Sequence, residues 1–192
     1  MSLREEQKSE RRAQILSVAL DQFVTKGFYG TSTRSIAKIA GISSGLMFHY
    51  FDSKESLYEE LIQIGCEKIH MNTDTITTSP LKLLYEIAEA FLQLIGQNHF
   101  SAKMFVLMGN AEHNTQISPK VNELLAQRNI FESTAAIIEK GQQLGELRAG
   151  NTKALSIAFL CSIQGIAEQI ALDPEFPIPE AEWIIDILKK HQ

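Results

Sequence analysis

The chain has 192 residues, 44% of them hydrophobic, and a formal net charge of −5. That is enough apolar material for one large or two small domains with real cores. No run of about 18 uncharged apolar residues occurs, so no membrane span is expected, and the charged N-terminus lacks the apolar region of a signal peptide.

Residues 11–28 form a first amphipathic helix, with Ile15, Leu16, Ala19, Leu20, Phe23 and Val24 on one stripe. Gly27 ends it and Phe28 follows. Upstream, Arg4, Lys8, Arg11 and Arg12 either make a basic arm near a groove or phosphate or belong to a frayed, solvated terminus. For a charged chain end the second is the simpler reading.

Ser32 is placed to cap a second helix by accepting a bond from a backbone N–H near Ser35. Ile36, Ala37, Ile39 and Ala40 follow at helical spacing, with Ala37 small enough for a close helix crossing. Gly41 stands where that helix must end in a left-handed residue. Ile42 plugs the turn, and Ser43 caps a third helix. On that helix Met47 and Phe51, four apart, share the inward face with Tyr50 at its edge. Ser44, Gly45, Leu46 and His49 face outward, and Gly45 lets the backbone approach a partner closely. Two short helices with this exposed second face match a helix-turn-helix that reads the DNA major groove. The plain alternative is an ordinary helical hairpin buried in a core. Asp52 and Ser53 then cap a fourth helix. Lys54 in its first turn opposes the helix dipole, which a phosphate partner would explain better than an idle surface lysine.

The remainder reads as helix throughout. The fourth helix runs to about Asn72, followed by a Thr/Ser-rich linker to Pro80. Leu81, Leu84, Ile87, Ala88, Phe91, Leu92 and Ile95 mark a fifth. Phe100 to Glu112 is a sixth, and Pro119 opens a seventh that runs to about Gly141. Asn151 caps an eighth, to about Leu172. Pro174, Pro177 and Pro179 break the chain before a ninth, Glu180 to Lys190. Alternating strands are absent, so the expected fold is all-α with about nine helices. Residues 1–54 carry a formal +3 and residues 55–192 a formal −8. An acidic chain repels DNA as a whole, so this asymmetry matters more than the total. Cys66 and Cys161 are far apart and in no metal-like spacing, which fits two buried thiols in a reducing cytoplasm.

From Arg12 to Leu61 the chain resembles the TetR (tetracycline-repressor-like) transcriptional regulators. The resemblance lies in Lys26-Gly27-Phe28, Gly30-Thr31-Ser32, Ile36-Ala37, Ala40-Gly41-Ile42-Ser43, Gly45, Phe48-His49-Tyr50-Phe51 and Ser53-Lys54-Glu55-Ser56-Leu57. It implies an all-α homodimer, usually a repressor, with a helix-turn-helix DNA-binding domain over 1–54 and a helical ligand-binding and dimerisation domain over 55–192. It implies DNA contacts from Thr33 and Arg34, base reading by Ser44, Gly45 and Leu46, backbone packing and phosphate donation by Phe48, His49 and Tyr50, and a phosphate clamp at Lys54. Three positions depart from the pattern. Phe48 replaces the usual Tyr, Ser44 stands where a basic residue is frequent, and Ser35 replaces an acidic capping residue. Readout then rests more on Arg34, His49 and DNA shape.

Two parts of the body are candidates for function. Phe91, Phe100, Met104, Phe105, Met108 and Phe131 are large, adaptable apolar residues suited to a small-molecule effector pocket, with His113 and Glu112 as polar anchors; plain core packing is the alternative. Ala154, Ala158, Cys161, Ser162 and Gly165 on the eighth helix, with Trp183, Ile184, Ile187 and Leu188 on the ninth, offer small residues against large ones. By the resemblance these two helices pair with their copies as a four-helix bundle, which requires a roughly palindromic operator of double-stranded DNA. The expected partners are thus an operator, an effector and a second copy, with no membrane, cofactor or metal. Two readings compete. Gly41-Ile42-Ser43-Ser44-Gly45 matches the G-x-S-x-G nucleophile elbow, but that motif needs a preceding strand, and His70, His99 and His113 form no catalytic or metal set. The other is a helical interaction module with degenerate DNA binding.

Overall fold

The computed structural model describes residues 3–68, 79–114 and 117–190. Among these it has ten helices: α1 Leu3–Gly30, α2 Thr33–Ile39, α3 Ser44–Phe48, α4 Lys54–Lys68, α5 Pro80–Gln97, α6 His99–Glu112, α7 Pro119–Ala126, α8 Ile130–Gln143, α9 Thr152–Leu172 and α10 Ala181–Ile185. The only β feature among the described residues is an isolated antiparallel bridge between Leu147 and Lys189. The all-α expectation holds. His70 and most of the expected linker lie outside the described residues.

Contacts divide the chain into two compact units. The first is built on residues up to Glu67 together with Val106–Leu125. Its core holds Ile15, Ala19, Leu20 and Phe23 of α1, Ile36 and Ala37 of α2, Met47 and Phe51, and Leu57, Leu61 and Ile62 of α4. Gly27 takes φ +71°, a left-handed kink near the end of α1. Beyond it Phe28 is buried, stacked on Phe23 with ring centroids 5.8 Å apart, and Tyr58 meets both rings edge-on at 5.2 and 5.1 Å. Thr31, also buried, donates its hydroxyl to the carbonyls of Gln22 and Gly27, tying down the turn into α2.

The second unit comprises Lys68–Phe105 and Ala126 onward. Leu84, Ala88, Phe91 and Ile95 of α5 are buried, as are Ile137 and Ile138 of α8 and Phe159, Ile163, Ala167 and Ile170 of α9. The Asn151 side chain accepts from Ala154 N at 3.0 Å to start α9. His99 Nε2 meets the Ala171 carbonyl near the end of α9 at 2.6 Å.

The helix count differs from nine for a local reason. The expected seventh helix is broken at Asn129, which adopts φ 38°, ψ 40°; Asn tolerates this left-handed geometry better than most residues. The expected ninth helix stops at Ile185, because the following residues turn and Leu188 gives its carbonyl to Arg148 N at 3.0 Å. At the other end α1 starts at Leu3, well before Arg11. The thiols also depart from expectation: Cys66 is only half-buried and Cys161 is exposed. Helix α9 is long and apolar enough to cross a membrane by length and composition, and 39% of its most apolar window is buried within the protein.

Candidate nucleic-acid interface

The helix-turn-helix is assembled by short-range bonds. Ser32 Oγ accepts from Ser35 N at 3.1 Å, and Ser35 Oγ accepts from Ser32 N at 3.2 Å. Serine therefore replaces the usual acidic member of the capping box without loss of reciprocity. At the end of α2, Gly41 takes φ +67°. Its N–H reaches Lys38 O and the Ile42 N–H reaches Ala37 O at 3.0 Å, the paired bonds of a Schellman ending. Ser43 Oγ accepts from Leu46 N at 3.1 Å and starts α3. Ser43 thus follows a helix and turn, not a strand, and its hydroxyl is committed to a cap; the nucleophile-elbow geometry is absent here.

With the ends fixed, the faces of α3 follow. Met47 is fully buried and Phe51 nearly so, while Ser44, Gly45, Leu46, Phe48 and His49 are exposed and Tyr50 is half-exposed. Phe48, a large aromatic with half its surface in water, stands where the chain lacks a hydroxyl. Thr33 and Arg34, at the start of α2, line a shallow cavity of about 370 Å³ with Ser44, Met47 and Phe48. These residues therefore form one surface.

Lys54 has a partner within the protein. Its Nζ donates to the Phe28 carbonyl at 2.8 Å and lies 4.1 Å from the centre of the Phe28 ring. The kink at Gly27 presents that carbonyl to it. An ammonium has three donors, and this contact uses one.

Sequence reading missed a second fixture. Arg12 makes two bonds to the Glu60 carboxylate, both 2.6 Å, and its guanidinium lies 4.5 Å from the Phe51 ring centre. It thereby joins α1 to α4 beside the third helix. Nothing in the local spacing signals a pair 48 positions apart.

The body candidates are less coherent. In the second unit Phe91 and Phe105 are buried and meet edge-on at 5.3 Å, and Met104 is buried. Phe100 is half-exposed and Phe131 is 36% exposed. Met108 and His113 belong to the first unit, with Met108 buried and His113 exposed. An exposed His113 is not a buried anchor. In the second unit Thr134 is buried, and its Oγ1 alone among the described buried side-chain N and O atoms has no partner. On α9, Ala154, Ala158, Cys161 and Gly165 are exposed, Ser162 is half-exposed, and Trp183 of α10 is 61% exposed. Ile187 is half-exposed, but Ile184 and Leu188 are buried inside the protein and cannot present side chains to a copy.

Comparison with known proteins agrees with this geometry. Residues 15–61 match the model for "Bacterial regulatory proteins, tetR family". The repressor KstR2 of Rhodococcus jostii is 45% identical over 56 residues, 29% of this chain and 28% of that protein. The fatty acid metabolism regulator protein of Bacillus subtilis is 27% identical over 149 residues, 75% and 74% of the two chains. The match to KstR2 of Mycolicibacterium smegmatis spans 47% of its length; against the KstR2 repressors the chain thus aligns over less than half of their length. Among solved structures, KstR2 of Mycobacterium tuberculosis superposes with a TM-score of 0.70 at 20% identity, covering 94% of this chain and 96% of that one. AibR, solved with isovaleryl coenzyme A and operator DNA, gives 0.68 at 19%, covering 92% and 94%. The capped helix-turn-helix, its exposed third helix and these matches lead to one assignment: residues 15–61 are a DNA-binding domain of the tetR family of bacterial regulatory proteins, carried on a chain with the fold of the solved TetR-like structures.

Proposed function

We propose that this protein is a homodimeric transcriptional repressor, held in the cytoplasm, that leaves a roughly palindromic DNA operator when a small molecule binds its body. The observation that carries this is the face of α3. Met47 is buried and locks the helix, while Ser44, Gly45, Leu46 and His49 stand exposed on a segment fixed by a serine cap and a glycine ending. Such a helix offers its first residues to base edges. Arg34 and Thr33 add contacts from α2, and Tyr50 and Lys54 add phosphate donors. Residues 1–54 serve as the DNA-binding part and 55–192 as the ligand-binding and dimerisation part. It acts by binding, not by catalysis.

The copy-to-copy contact is proposed on the exposed small-residue face of α9, with Trp183 beside it. The two-fold symmetry of such a dimer calls for a roughly palindromic operator with half-sites one or more turns apart. The effector is proposed to be apolar or amphipathic, held near Phe91, Met104 and Phe105. The names of the relatives, a fatty acid metabolism regulator and a protein bound to isovaleryl coenzyme A, make acyl thioesters the first compounds to try.

The test is a mobility shift on the DNA flanking the protein's own gene, with a salt titration. Saturable binding to a short inverted repeat, weakened by effector, is expected. Effector and DNA must weaken one another by the same factor. Binding that is weak and indifferent to sequence would instead favour a module that has lost DNA readout.

A further inference from the structure

The first turns of α1 are a continuous, exposed helix whose charges are sorted by face. At 100° per residue, Arg4, Lys8 and Arg11 fall within an arc of about 60°, whereas Glu5, Glu6 and Glu10 lie on the other side. The basic face borders an open cleft of about 820 Å³, lined by Arg4, Lys8 and Arg11 on one wall and Leu46, His49 and Tyr50 of the third-helix region on the other. Gln7, Gln14 and Glu10 complete it, so one carboxylate stands at its edge. The cleft therefore opens directly beside the residues assigned to DNA.

The helix that carries the basic row is held at its base. Arg12 is fastened to Glu60 and Phe51, and Gln14 Nε2 donates to the Ala40 carbonyl at 3.4 Å. Arg12 is thus spent on structure. Arg4 and Lys8 are exposed, and Arg11, also exposed, donates to the neutral Gln14 at 2.8 Å. Arg4 to Arg11 spans about 10 Å along the helix axis, enough for the three long side chains to reach neighbouring phosphates of one strand.

Resting on the DNA-binding reading above, we infer that Arg4, Lys8 and Arg11 form a rail that grips the sugar–phosphate backbone flanking the bases met by α3, extending the footprint without reading sequence. Phosphate contacts of this kind position a protein and carry no base information.

The experiment uses the full chain and an Arg4→Gln/Lys8→Gln/Arg11→Gln variant. The DNA probes are a 40-base-pair duplex selected by the wild-type protein from a random library and a scrambled duplex of equal length. Affinity is followed against salt. Each phosphate that is no longer neutralised lowers the slope of log K against log salt by about 0.9, so a fall of about 2 to 3 per bound protomer is expected on both duplexes. An Arg4→Lys/Arg11→Lys variant should retain the wild-type slope, and matching far-ultraviolet dichroism excludes unfolding. An unchanged slope in the Gln variant overturns the rail while leaving the DNA-binding reading intact. A fall confined to the selected duplex overturns it in favour of base contacts. A thermal shift by inorganic phosphate that the Gln variant loses, with unchanged DNA slope, overturns it in favour of a soluble anion. Failure of the wild-type protein to select any duplex overturns both readings together.

Discussion

Breaking the Arg12–Glu60 fixture tests how the first helix is held. The pair is bidentate, with both bonds at 2.6 Å, and the two side chains are 40% and 28% exposed. Water at that exposure screens the attraction, so the pair should contribute about 1 kcal/mol, the upper end for solvent-accessible pairs. The guanidinium over Phe51 adds about 0.5–1 kcal/mol. Arg12→Ala should then cost about 2 kcal/mol, Glu60→Gln about 1, and the double variant about 2. The double-mutant cycle should return a coupling near 1 kcal/mol. At about 2–4 °C per kcal/mol for a chain of this size, the single Arg variant melts roughly 4–8 °C lower. Chemical denaturation monitored by fluorescence and dichroism measures all four corners. A coupling within about 0.3 kcal/mol of zero would refute the reasoning and remove the ion pair from what holds α1.

Lys54→Met should lower stability by about 1 kcal/mol, through loss of the bond to Phe28 O and the ring contact, and should also reduce the salt slope of DNA binding by about 0.9 per phosphate. A stability loss with an unchanged slope would remove Lys54 from the interface. Tyr58 is 3% exposed, and burial pushes its hydroxyl pKa up to about 12. Its neutral form is favoured in the folded state, so its share of stability is full below about pH 10 and is lost as pH rises towards 12. That loss is about 2–3 kcal/mol. Melting curves between pH 9 and 12 should show a steeper alkaline decline for wild type than for Tyr58→Phe. Thr134→Val replaces an unpartnered buried hydroxyl with a methyl of similar shape. It should raise stability by about 1 kcal/mol, and an unchanged or lower melting temperature would mean that the hydroxyl has a partner in solution.

What the sequence disclosed depended on how local the determining contacts are. The helix-turn-helix is written in neighbours: Ser32 with Ser35, Ser43 with Leu46, Gly41 closing on Lys38 and Ile42 on Ala37. Each of these lies within five positions of its partner and was readable as spacing. The break at Asn129 rests on one residue's backbone angles between two apolar runs in similar phase, so periodicity ran straight through it. The end of α10 is decided by Arg148 meeting Leu188 O, some 40 positions apart, and no local pattern carries that. For the site, outward and inward faces of the third helix were legible because one helical period decides both. The partner of Lys54 was not, because the Phe28 carbonyl becomes available only through the kink at Gly27. The buried state of Ile184 and Leu188 likewise depends on packing that an apolar stripe alone cannot orient.

The starts of α2, α3 and α4 are all fastened by serine hydroxyls: Ser32 with Ser35, Ser43, and Ser53 with Ser56. A hydroxyl does not titrate in the acid range, whereas an aspartate cap loses its acceptor as it protonates near pH 4. The three helix ends that shape the DNA-facing surface therefore keep their caps under mild acid. They also add no negative charge to a surface proposed to meet phosphates.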